Sequence, residues 1–181
     1  GGILMLASGQ TFNDNFIMNG GNLSAYAGGL TNTFTGTFTL NSGNGNNIFA
    51  PTTNATYQMN GVISGDGVME MAGVGNIQIA TSNNNITGGV IISAGSISLG
   101  GNERFDNSNT FVVNSSGTFN LNGYTQTVSS IEGAGDITLG SAGALITGNS
   151  GNQTLSGTIS GAGTLTKTGS GTLTLSGNNT Y

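Results

Sequence analysis

Segment 157–175, GTISGAGTLTKTGSGTLTL, repeats the pattern of segment 61–79, GVISGDGVMEMAGVGNIQI. With Gly157 set on Gly61, Ile159 falls on Ile63, Leu165 on Met69, Leu173 on Ile77 and Leu175 on Ile79. The glycines coincide as well, since Gly161, Gly163, Gly169 and Gly171 meet Gly65, Gly67, Gly73 and Gly75. A third copy, over 131–147, opens on Ile131-Glu132-Gly133-Ala134-Gly135 and continues through Ile137, Leu139, Gly143 and Leu145. Inside each copy the apolar residues stand two apart, the period of a strand, and Gly-x-Gly supplies the positive φ of a sharp corner. Gly65 and Gly133 are 68 residues apart and Gly133 and Gly161 are 28 apart, which fits unequal numbers of coils of roughly 20 to 30 residues. A sandwich has no need of such self-similarity.

Composition points the same way. The 181 residues include 34 Gly and a single Pro, with only 5% charged, so a helix bundle lacks its usual material. Hydrophobic residues, at 35%, are enough for a continuous core. Further alternating blocks occur at Phe34, Phe38 and Leu40, at Val90 and Ile92, at Ile97 and Leu99, at Phe111 and Val113, and at Phe119 and Leu121. Each reads as a half-buried strand whose intervening Thr, Ser and Asn face water or stack in ladders. The expectation is an all-β chain: a right-handed, single-stranded parallel β-helix of roughly seven or eight coils, a rod about 35 to 40 Å long. No linker divides residues 1–181, so one segment is expected.

Charge and residue usage narrow the chemistry. A net charge of −5 with two cations leaves no basic surface for phosphates, so no nucleic-acid partner is expected. With no Cys and no His there are no disulfides, thiol nucleophiles, imidazole bases or ordinary zinc ligands, and no cofactor or metal is expected. No apolar run approaches the ~20 residues of a membrane helix, and no signal peptide is present, so an export address would lie outside this stretch.

Residues 157–181, GTISGAGTLTKTGSGTLTLSGNNTY, resemble the autotransporter-associated β-strand repeat, or passenger-associated transport repeat. The resemblance rests on Leu165-Thr166-Lys167, the Gly-x-Gly corner, Leu173-Thr174-Leu175 and the closing Ser-Gly-Asn-Asn-Thr-Tyr. Residues 86–139 are similar to the segment that commonly follows such a repeat, through Gly88-Gly89, Ala94-Gly95-Ser96-Ile97, Phe119-Asn120-Leu121-Asn122-Gly123 and Ile131-Glu132-Gly133-Ala134-Gly135. The 61–79 copy departs from the pattern, with Met69-Glu70-Met71 where the repeat has Leu-Thr-Lys. What the resemblance implies is a piece of a longer passenger, exported by type V secretion through the outer membrane of a Gram-negative bacterium. An outer-membrane β-barrel translocator would then lie elsewhere in the parent chain.

Seven carboxylates are the available catalytic acids: Asp14, Asp66, Glu70, Glu103, Asp106, Glu132 and Asp136. A glycosidase needs two of them about 5 to 10 Å apart across a cleft. If the copies stack closely, Asp66, Glu70, Glu132 and Asp136 form an acidic stripe; the plainer reading is solvated corner charges. Lys167 aligns with the apolar Met71 and Leu139, either as a buried cation or with its stem over the core and its ammonium in solvent. Glu103, Arg104, Phe105 and Asp106, the densest charge cluster, form a candidate interaction loop, or else a corner with a local ion pair and Phe105 tucked over the core. Gly100 through Asp106 has the wrong spacing for a calcium nonapeptide. The function expected is a non-enzymatic surface stalk or adhesin scaffold meeting a host-surface protein or glycan; the alternative is a β-helical polysaccharide lyase or glycoside hydrolase. Oligomeric state is left open.

Overall fold

The computed structural model describes residues 2–25 and 29–181, and they form a parallel β-solenoid of about eight turns, with no helix among them. Every paired strand is parallel, and paired positions are separated by 18 residues at Thr118↔Asp136 and by as many as 26 at Gly21↔Asn47. The chain visits three faces in each turn. The first runs through Ile3–Leu6, Gly21–Ala25, Asn47–Ala50, Met69–Met71 and onward to Leu173–Leu175. The second runs from Thr11–Phe12 through Thr31–Phe34, Thr56–Met59 and Asn76–Ile79 to Ile159–Ser160. Two long strands, Val90–Leu99 and Thr110–Asn120, pass through the corner between these faces and join them into one 15-stranded sheet. The third face is divided, with four strands from Phe16–Met18 to Asn85–Ile86 and three from Thr125–Val128 to Thr164–Lys167.

The three sequence copies do not stack on one another. Ile63 lies in the third face, Ile131 in the first and Ile159 in the second, so each copy is a full turn begun from a different face. The physical reason is that all three corners ask the backbone for the same thing. Gly65, Gly133 and Gly161, the first glycines of the aligned Gly-x-Gly corners, have φ of 131°, 123° and 111°. Only glycine adopts such angles cheaply. The second glycines, Gly67, Gly135 and Gly163, leave no room for a side chain against the backbone of the preceding turn. One corner design therefore serves three places. The acidic stripe expected from stacked copies does not form: Asp66 sits at the corner from third to first face, Glu132 on the first and Asp136 on the second.

One core runs lengthwise through the turns. Inward residues alternate with outward ones along each strand, and Phe34, Phe38, Leu40, Val90, Ile92, Ile97, Leu99, Phe111, Val113, Phe119 and Leu121 are all fully buried or nearly so. Burying an aliphatic or aromatic side chain of this size is worth about 1.5 to 3 kcal/mol. Aromatic rings stack from turn to turn, Phe12 on Phe34 at 5.1 Å and Phe16 on Phe38 at 4.7 Å, with a second cluster where Phe111 stacks on Phe119 at 4.8 Å.

Buried amides hold adjacent turns together where strands begin. Asn84 accepts a hydrogen bond from the Ile63 N–H at 2.7 Å and donates to the Arg104 carbonyl at 2.7 Å, spanning three turns. Gln126 accepts from the Phe105 N–H and donates to the Phe105 carbonyl, at 3.1 and 2.9 Å. Asn47 accepts from Gly20 at 2.9 Å and donates to Val68 at 3.2 Å. Such bonds satisfy backbone groups that the bent corners leave without a strand partner.

Lys167 does not share a face with Met71 or Leu139. It lies on the third face in register with the buried Thr147, and its ammonium turns to the carbonyls of Thr168 and Gly169, the latter at 3.3 Å. Stem and head thus part company, the aliphatic portion following the inward column and the charge reaching the exposed corner.

Candidate interaction surface

The 103–106 stretch occupies the gap in the third face. An isolated bridge, Asn84↔Phe105, marks this level between the four-stranded and three-stranded sheets. Glu103 has φ of 47°, an uncommon conformation for a side chain of its kind. It is held there by the next turn, where its carboxylate accepts from the Thr127 N–H and hydroxyl, both at 2.9 Å, and from Gln126 Nε2 at 3.2 Å. The Arg104 guanidinium folds back across Gly101, where a side chain would collide with it. Phe105 is buried and meets Phe111 edge-on at 5.0 Å. Asp106 is exposed, and the Ser108 hydroxyl and N–H, at 2.6 and 2.9 Å, hold its carboxyl below the usual aspartate value. Asn83, Glu103, Phe105, Asp106 and Asn107 line a hollow of 260 Å³ beside it.

Glu103 is a staple between turns. Replacing it by Ala removes charge-assisted hydrogen bonds while keeping a strained backbone, so Glu103→Ala is expected to cost about 2 to 3 kcal/mol. A urea melt reads this as a lowered midpoint. An unchanged midpoint would mean that the bonds contribute nothing.

Other carboxylates have the same employment. Asp66 accepts from the Ser42 N–H and hydroxyl at 2.9 and 2.8 Å, Glu70 accepts from Asn46 at 2.8 Å and Ser93 at 2.7 Å, and Asp136 accepts from the Thr158 N–H at 2.8 Å. These partners lie 22 to 24 residues away, one turn of the solenoid. That interval is the sequence signal for the staples, and it can be read only once the turn length is known. On the first face Glu70 and Glu132 share a column, separated by Ile91 and Val112. Three steps put them about 14 Å apart, beyond the reach of a glycosidase pair.

The Ser42 N–H and hydroxyl bonds lower the Asp66 carboxyl below its ordinary 3.8. Because the folded value is depressed, Asp66 favours the folded state above the ordinary aspartate range and loses that contribution as pH falls through the lowered value. In a carboxyl-detected NMR titration Asp66 should titrate on the acid side of 3.8, and Ser42→Ala should move it back toward that value. A titration that ignores the substitution contradicts this assignment.

A further hollow, 320 Å³, lies at the first turn, against the exposed Ile3, Leu4 and Ile17. No helix among the described residues is long and apolar enough to cross a membrane.

No family model matches the chain, and no solved structure matches it. Among curated proteins it is similar to the adhesin BmaC autotransporter of Brucella suis biovar 1 (strain 1330), at 33% identity over 160 residues. The match takes in 85% of this chain and 5% of that relative's length. A solenoid whose turns are stapled along one continuous core is thus similar, over most of its residues, to a short part of an autotransporter adhesin.

Proposed function

We propose that the chain is a rod-forming segment of an exported adhesin passenger, which spaces or presents adhesive regions at the cell surface. The observation that carries this reading is the similarity to an autotransporter adhesin along a chain whose parallel core is uninterrupted from the first strand to the last. The physics suits export, because each turn packs mainly on its neighbours and can be added as the polypeptide emerges. A β-barrel translocator in the parent chain would supply the route, and a host-surface protein or glycan would be the partner. Contact through 103–106 would run by way of Asp106 and Asn107, because Phe105 is sealed in the core and Glu103 faces the next turn.

An epitope placed in the exposed corner at Asn44-Gly45 of the parent protein tests the proposal. Antibody should label intact cells or the culture medium. Labelling only after the cells are broken open overturns it.

A further inference from the structure

Four asparagines of the chain are followed directly by glycine: Asn19, Asn44, Asn60 and Asn122. In an unfolded chain the four are alike, since each has a side-chain amide within reach of a backbone nitrogen that no Cβ shields. The fold separates them. The Gly20 N–H donates to Asn47 Oδ1 at 2.9 Å, the Gly61 N–H to the Phe34 carbonyl at 3.1 Å and the Gly123 N–H to the Leu139 carbonyl at 3.0 Å, so three of the nitrogens are tied to another turn. The Gly45 N–H donates to none of the described residues, and the Asn44 amide has no hydrogen-bond partner among them. Asn44 and Gly45 are both exposed, at the corner between the third and first faces. Gly43 and Gly45 have φ of 148° and 94°, and a Cβ built on either would meet open space. At Gly20 and Gly61 a Cβ would strike the backbone of Asn44 and of Gly36, so those corners are closed on a neighbouring turn.

We propose that Asn44 is a self-modification site, the position at which the folded chain deamidates. The inference rests on the fold and does not depend on the proposed export. The Gly45 nitrogen gives its proton to solvent and attacks Asn44 Cγ; the N–Cγ bond forms, the Cγ–Nδ2 bond breaks, and Nδ2 leaves as ammonia. A five-membered succinimide ring then joins the two residues. Water opens it at Cγ, giving aspartate, or at the Asn44 carbonyl carbon, giving isoaspartate with the main chain routed through the side chain. Water is the only co-reactant. A nitrogen whose N–H is bonded to another turn must first give up that bond, and its corner must open, before it can attack. Gly45 meets neither obstacle, and glycine on both sides of Asn44 lets the amide and the backbone rotate toward each other. The product places a carboxylate where the chain had a neutral amide, two residues from Ser42, whose N–H and hydroxyl hold Asp66. The corner of a chain already at −5 thus grows more acidic with age. The core is untouched, because the first buried side chain after the corner is that of Asn47.

The test incubates the purified, folded chain at mildly alkaline pH and samples it over time. Each sample is unfolded and its chymotryptic peptides are mapped by mass spectrometry, with chromatography separating isoaspartate from aspartate. Conversion at Asn44 should outrun that at Asn19, Asn60 and Asn122 by at least about tenfold, the factor supplied by the hydrogen bond that each held nitrogen must lose. In urea, where those bonds are gone, the four rates should come within about threefold of one another. Asn44→Gln lengthens the side chain by one carbon and should abolish the fast conversion, with a circular dichroism melt showing the fold intact. Equal rates at the four sites of the folded chain, a faster site other than Asn44, or a lead for Asn44 that is as large in urea overturns the inference. So does a fast conversion that survives Asn44→Gln.

Discussion

Gly133→Ala should destabilise the protein by more than about 4 kcal/mol, enough to abolish folding of the middle turns. Gly133 has φ of 123°, and a Cβ there would be driven into the carbonyl oxygen of Val113 on the preceding turn. Backbone cannot yield as a flexible side chain can. The conformational cost alone is of order 1 to 3 kcal/mol, and the collision adds to it because the corner is clamped by the Gly135 N–H bond to the same Val113 carbonyl at 2.8 Å. Ala134, between the two glycines, is exposed, so Ala134→Ser should change stability by less than about 0.5 kcal/mol. Urea midpoints for the pair measure the contrast. Equal effects would show that glycine at this corner reflects composition and not geometry.

A second pair of neighbours should differ as widely. Ile77 is fully buried, in register between Tyr57 and Ile97, while Gln78 faces outward. Ile77→Asp puts a carboxylate into an apolar interior and removes a packed side chain, a loss of several kcal/mol that should leave the chain unfolded or aggregated. Gln78→Asp should cost about 1 kcal/mol or less. The measurement is the fraction of soluble, β-rich protein and its melting temperature. Comparable damage from both would mean that this strand has no inside and outside.

What could be read in the sequence was whatever depends on a fixed local period. Phe111 and Val113 stand two apart, as do Phe119 and Leu121, and all four point inward. The first two and Phe119 share the one long strand Thr110–Asn120, which ends beside Leu121 and carries Gly117 through the corner. The Gly-x-Gly corners were legible for the same local reason. Their phase was not, because identical corners close all three faces, and nothing in Ile63, Ile131 or Ile159 says which face it joins. Non-local pairings were hidden too. Glu103 finds Thr127 and Asp66 finds Ser42 only because one turn happens to have that length, and turns vary from 18 to 26 residues. The hollow beside Asp106 depends on the same variation, since the third face breaks where the chain at 103–106 fails to form a strand.

Spin labels on the outward column of the second face test the central claim most directly. That column runs Gln58, Gln78, Ser98, Asn120, Thr138, Ser160 and Thr180, which puts Asn120 three steps from Gln58, Thr138 four and Thr180 six. Electron–electron distances from Gln58 should grow by about 5 Å per turn, to roughly 14, 19 and 29 Å between backbones. Distances that fail to rise in that order, or a Gln58 to Thr180 separation shorter than that to Thr138, would show that the turns are not stacked along one axis.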